Sequence, residues 1–201
     1  MRLATRLSDF NEYILWYGFH DINAKFSWKP NEKNSFNLNF YQGDDYLNYK
    51  SNPKANKNND EYRMKDIWGN WLVSLHWKTL MSQKLFVSNR ISYTRYRLKD
   101  EMKFSVKNSN APGYESKYFS SVQDYSICSD WKYKMFNNWS LEFGLQSSYF
   151  IHLPTSIYFS NQAEQKTSEA INSLESAIYL ENKITLFKNF NELKEIVAST
   201  V

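Results

Sequence analysis

The sequence predicts an all-β fold: an antiparallel up-and-down meander of about 7–8 long strands, as an open curved sheet or an incomplete barrel. Three observations predict it. Apolar and polar residues alternate with a period of two through run after run. Compact turn signals separate pairs of such runs. The connections alternate between short turns and polar stretches on the order of 20 residues, far longer than ordinary hairpin loops.

The elements follow in order. Residues 1–17 read as a lead-in, 18–190 as the strands and 191–201 as an irregular or short helical tail, all in one unit, 1–201. The first hairpin sets Ile22, Ala24, Phe26 and Trp28 against Asp21, Asn23, Lys25 and Ser27. It turns at "KPNEKN" (29–34) and returns through Phe36, Leu38 and Phe40. The second opens with "WLVSLHWK" (71–78), where Trp71, Val73, Leu75 and Trp77 share one parity. It turns at "TLMSQK" (79–84) and continues with Leu85, Val87, Ile91 and Tyr93. The third carries Ile127, Trp131 and Tyr133, turns at "MFNNW" (135–139) and returns through Leu141, Phe143, Leu145, Tyr149 and Ile151. A last run, with Ile178, Leu180, Ile184 and Leu186 alternating, leads to "KNFN" (188–191). The tail's Leu193, Ile196 and Val197 fall at near-helical spacing instead. Between the hairpins, 45–66, 99–121 and 153–172 read as long loops. A propeller with a period near 50 residues is disfavoured, because a blade needs four strands and only two fit each interval.

Composition narrows the setting. The chain has 201 residues with 15 Tyr, 14 Phe and 7 Trp, but 5 Gly and 4 Pro. Its net charge of +4 is scattered rather than blocked, so nucleic acid is not an expected partner. A single cysteine, Cys128, rules out an internal disulfide. No run of about 18 apolar residues exists, so no transmembrane helix is expected. Strands that cross a membrane need only about 9–11 residues, half of them polar, and escape that criterion. "MRLATRLSDF" lacks the apolar stretch of a signal peptide, so the chain is expected either not to be exported or to lack its true beginning.

The sequence poses one question above others: what the apolar parity touches. Three features point to lipid. The polar parity is rich in Ser and Asn (Ser74, Ser88, Ser92, Ser126, Ser140, Ser148, Asn23, Asn37, Asn39), which suits a wet lumen. Trp and Tyr gather towards strand ends, as an aromatic girdle would. Several runs reach about 9–13 residues, longer than soluble strands. The expected lipid-facing residues are Phe26, Leu38, Trp71, Val73, Leu75, Trp77, Ile91, Trp131, Leu141, Phe143, Leu145, Ile178 and Leu180. With short turns all at one end and long loops at the other, the sheet has the asymmetry of an outer-membrane β-barrel. Two alternatives stand beside it: a small closed outer-membrane barrel with an adhesin or structural role, and a soluble lipocalin-like binding barrel with the apolar parity inward.

No catalytic residue, cofactor site or metal site is expected. His20, His76 and His152 share no ligand spacing, and Cys128 has no evident base. "GDD" (43–45) supplies too few donors for an EF-hand loop and reads as a turn at the rim. The Asn138-Trp139-Ser140 sequon falls in a tight turn and reads as a chance match.

With these elements placed, two stretches resemble hairpins of TonB-dependent outer-membrane receptors of the carboxypeptidase-regulatory-like type. They are "GFHDINAKFSWKPNEKNSFNLNFYQGDDYL" (18–47) and "WGNWLVSLHWKTLMSQKLFVSNRISYTRYRL" (68–98). "DYSICSDWKY" (124–133) and "SLESAIYLENKITLFKNF" (173–190) resemble later strands of that barrel. The resemblance implies a piece from the middle of a large receptor barrel. In the complete protein it would be partnered by outer-membrane lipid, a plug domain, TonB and a small nutrient ligand such as an iron chelate, cobalamin or a glycan. It also implies that the long loops are extracellular, with Tyr46, Tyr49, Tyr62, Tyr114 and Tyr118 as candidate ligand contacts.

Overall fold

A computed structural model describes residues 3–10, 13–51, 61–105, 113–159 and 168–185. They form eight strands: β1 (Leu3–Phe10), β2 (Tyr13–Asn31), β3 (Asn34–Ser51), β4 (Glu61–Ser82), β5 (Leu85–Ser105), β6 (Tyr114–Phe136), β7 (Trp139–Phe159) and β8 (Ile171–Ile184). The strands make one sheet in chain order, and each neighbouring pair is antiparallel. Among the described residues β1 pairs only with β2, and β8 only with β7. The sheet is therefore open, and the closed small barrel and the closed lipocalin-like barrel are both corrected by it.

Strands β2 to β7 run from 18 to 23 residues. That length corrects two expectations. The lead-in at 1–17 contains β1 and the start of β2. The segments 45–66 and 99–121 are largely strand, since β3 runs on to Ser51, β4 starts at Glu61, β5 ends at Ser105 and β6 starts at Tyr114, while 153–172 holds the end of β7 and the start of β8. The middles of these segments, the turn expected at 188–191 and the tail at 191–201 lie outside the described residues. The cause is a switch of polarity. Near the short turns one parity is apolar, and further up the same strands the other parity is. A reading that holds one apolar parity fixed loses the strand at the switch.

The short turns fall where the sequence places them, at Glu32–Lys33, Gln83–Lys84 and Asn137–Asn138. The side chain before the turn closes the first two. Asn31 Oδ1 accepts from the N–H of Lys33 (3.0 Å) and of Asn34 (2.9 Å), and Ser82 Oγ accepts from Lys84 (3.3 Å) and Leu85 (3.1 Å). Such side chains substitute for a backbone turn partner. Each turn follows a register shift that places one extra residue in the incoming strand: Trp28/Asn31, Leu80/Ser82 and Lys134/Phe136. These are β-bulges, which raise local twist and end the pairing.

The turn tips step down the sheet. Asn34 pairs with Thr79, and β4 then continues to Ser82; Leu85 pairs with Tyr133, and β6 then continues to Phe136. Backbone bonds tie each tip to the next strand, from Leu80 N to Lys33 O (2.8 Å), Lys134 N to Lys84 O (2.7 Å) and Thr185 N to Asn138 O (2.8 Å). The step of about three residues is about 10 Å along the strand for two strand spacings of about 4.8 Å each. With the tips held level, the strands lean by roughly 45°, the tilt of membrane barrels.

Among the described residues, Val87 and Cys128 are the buried hydrophobic side chains. A single layer has no interior in which to bury more, and its apolar side chains stay on its faces.

Candidate functional site

Cross-strand register decides which residues share a face, because paired residues project to the same side. Phe26, Leu38, Leu75, Ile91 and Ile127 form one row, and Trp28, Phe36 and Trp77 lie in the row below. Trp131, Phe143 and Leu180 form a further row, and Leu145 pairs with Ile178. Extended by the strand alternation to Trp71, Val73 and Leu141, this collects on one face all of the residues expected to touch lipid. Phe26 is 64% exposed, Ile91 57% and Ile178 89%, and Trp71, Leu75 and Leu145 are exposed as well. A contiguous apolar belt of this kind marks a surface that meets something other than water.

Aromatic ladders edge the belt at the turn end. Trp28 stacks on Phe36 (5.4 Å), Phe36 on Trp77 (5.8 Å), Trp131 on Phe143 (5.9 Å) and Phe136 on Trp139 (5.9 Å). Indole N–H groups find polar partners there: Trp77 donates to Asn34 Oδ1 (3.3 Å), Trp131 to Ser129 Oγ (2.9 Å) and Trp139 to Asn182 Oδ1. Higher up, Phe40 meets Trp71 edge-on (5.9 Å) and Tyr93 leans on Tyr125 (4.8 Å).

Level with the belt, the opposite face is a polar lattice. Ser27 donates to Asn37 (2.8 Å), Asn39 to Ser74 (3.2 Å) and Tyr179 to Asp130 (2.7 Å); Ser126 and Ser148 share a bond of 2.8 Å, and Lys132 pairs with Glu142. His76 meets Ser88 Oγ at 2.9 Å, and Cys128 lies 3.4 Å from Asp130. These groups satisfy one another across strands, which is how a polar wall stays ordered without a second layer.

Above the belt the two faces exchange character. The polar face becomes aromatic: Tyr17 lies against Phe19 (6.3 Å) and Trp68 (6.5 Å), and Tyr49 meets Tyr62 edge-on (5.6 Å). The Tyr17 hydroxyl donates to Asp45, and that bond holds its phenol above the ordinary value. The belt face becomes charged, with Arg95, Arg97 and Lys99 in a column on β5. Arg97 donates to both oxygens of Asp44 (2.9 and 3.0 Å), crossing β4 at Gly69, the residue registered between them. A Cβ at Gly69 would stand 1.9 Å from Asp44 Oδ1, so glycine is required there. Gln42 donates to Asp44 (3.0 Å), and His20 bridges to Gln42 and to Tyr46, whose ring stacks on it at 5.7 Å.

The remaining candidates separate. In "GDD", Asp44 faces Arg97 on one side and Asp45 meets Tyr17 on the other, so they build no joint cation site. Among the described residues no three His, Cys, Asp or Glu side chains gather as metal ligands, and no helix is long and apolar enough to cross a membrane. Of the tyrosines expected on loops, Tyr46, Tyr49, Tyr62, Tyr114 and Tyr118 all lie on strands, and Tyr46 lies on the belt face with His20. The alternation in "RYRLK" (95–99) and the lone Gly69 opposite it were the available signals of the charged column.

Fold and faces together define a class: a tilted, open segment of β-barrel wall. No protein-family model and no curated protein matches the sequence. Among solved structures, the chain is similar to the ferric yersiniabactin uptake receptor FyuA from Yersinia pestis, with a TM-score of 0.57 and 11% identity over 88% of this chain. The match spans 27% of that receptor. At that identity the likeness shows the fold alone.

Proposed function

We propose that this chain forms part of the wall of an outer-membrane receptor that takes up a small nutrient, with the apolar belt against lipid and the polar lattice towards the lumen. The observation that carries the reading is the belt itself: a continuous field of exposed apolar side chains on one face, aromatic-edged, on strands staggered like those of a barrel. The likeness to an uptake receptor's barrel supports it. Phe26, Leu38, Val73, Trp77, Trp131, Leu141, Phe143 and Leu180, with their neighbours in the belt, would meet acyl chains. The polar lattice would face a plug domain, and TonB would supply energy through that plug, as the sequence resemblance implies. The aromatic upper part of the lumenal face, around Tyr17, Trp68, Tyr49 and Tyr62, would form part of the capture surface. Iron chelates, cobalamin and glycans are the ligand classes the resemblance suggests.

The test is a pair of arginines on adjacent residues. Leu75→Arg places a charge at mid-belt and should lower incorporation into phosphatidylcholine vesicles, at a cost of about 2–4 kcal/mol. Ser74→Arg points to the other face and should leave incorporation nearly unchanged. Insertion blocked by Ser74→Arg and tolerated with Leu75→Arg would reverse the faces and end this reading.

A further inference from the structure

We infer that the belt face carries a site for one anionic, phosphate-bearing lipid, seated at the upper edge of the belt on strands β4 to β6. This rests on the lipid-facing assignment above and adds a specific occupant to it. Two adjoining features carry the inference. The first is an open groove of about 400 Å³ lined by Val73, Leu75, Ile91, Tyr93, Tyr125 and Ile127, of a size for part of an acyl chain. The second is the column Arg95, Arg97 and Lys99, which begins two residues above Tyr93 on the same face of β5.

The three cations differ in role. Arg97 is held by Asp44, so its charge is largely matched and its position fixed. Arg95 and Lys99, on either side of it, form no ion pair among the described residues. The Nε atoms of Arg95 and Arg97 are sheltered from solvent and have no hydrogen-bond partner. The donors left to meet an anionic oxygen are therefore the terminal nitrogens of Arg95 and the ammonium of the exposed Lys99. Trp71 and Gln123 flank Arg95 in register, and Ser121 flanks Arg97. At a tilt of roughly 45°, Arg95 lies about 23 Å above the level of Leu85 at the turn end, and Lys99 about 33 Å, which brackets the edge of a hydrocarbon core of about 30 Å. A groove for hydrocarbon directly below a cationic column matches one molecule with a chain and an anionic headgroup. A free anion would leave the groove empty.

The test measures lipid selectivity at the protein boundary. The full chain is reconstituted in phosphatidylcholine, and spin-labelled phosphatidylglycerol and phosphatidylcholine are compared as boundary probes. Wild type should prefer phosphatidylglycerol by roughly threefold to tenfold, with the preference shrinking in high salt. The Arg95→Gln/Lys99→Gln double variant should lose it, and Arg95→Lys/Lys99→Arg should keep it with the same insertion and circular dichroism. Insertion without preference, or a preference unchanged in the glutamine variant, overturns this site alone. Displacement of the lipid probe by millimolar-range inorganic phosphate at constant ionic strength would show a free-anion site and overturn the lipid assignment. Failure to enter vesicles of either composition would overturn the membrane reading and this site with it.

Discussion

At Gly69 a missing side chain decides the placement of two others. The Asp44–Arg97 pair spans β4 only because nothing rises between them. Gly69→Ala should displace the carboxylate and lower the unfolding midpoint in urea, at a cost of about 1–3 kcal/mol from the forced shift. A second pair makes the opposite case. Asp66 and Asp100 are direct cross-strand neighbours, and each keeps a sheltered Oδ1 with no hydrogen-bond partner. Both lie above the belt. Burial and then the Asp100 charge raise the Asp66 pKa, and burial raises that of Asp100. A carboxyl whose folded pKa is raised binds its proton more tightly when folded. Its contribution is therefore most favourable below the ordinary carboxylate range and is lost as pH rises through the raised value. Asp66→Asn should stabilise the sheet at neutral pH, by roughly 0.2–1 kcal/mol for relief of a like-charge pair, and flatten the acid limb of a pH–stability curve. A fall in stability at neutral pH would show that Asp66 is held by an attraction instead.

The elements were legible where one rule governed both packing and sequence. Alternation around "KPNEKN", "TLMSQK" and "MFNNW" located β2 to β7 near their tips, because there apolar side chains share one parity. It failed at 45–66 and 99–121, because the aromatic parity changes sides on the way into them: on β5, Arg95, Arg97 and Lys99 occupy positions that lower down carry Ile91 and Tyr93. Periodicity had no means of tracking a strand through that exchange. The Asp44–Arg97 contact, between residues 53 apart, was invisible for a different reason: it depends on register across three strands. Turn chemistry was partly legible. Asn31→Ala removes the acceptor for two backbone N–H groups and should cost about 1 kcal/mol, read as a loss of urea midpoint. Asn31→Asp keeps an oxygen acceptor in place and should lose much less.

As a whole, the sheet has two edges and two unlike faces. Among the described residues, the outer edge of β8 has no partner, and Leu174, Ile178 and Leu180 are all strongly exposed on it. Unpaired edges of that kind template association. The isolated chain should therefore form large assemblies in water at low detergent, seen by light scattering, and disperse when lipid or detergent covers the belt. A monodisperse monomer in plain buffer would contradict the open sheet. The bulges beside the tips carry a last consequence, for how the length of such a chain can vary. One residue added in the middle of β4 would rotate everything beyond it by half a turn, bringing serine and histidine to where tryptophan and leucine now stand. The same residue added beside Leu80, where the ladder already absorbs an odd count, would leave the wall as it is. Evolution and engineering alike have their freedom at the hairpin corners and almost none along the staves.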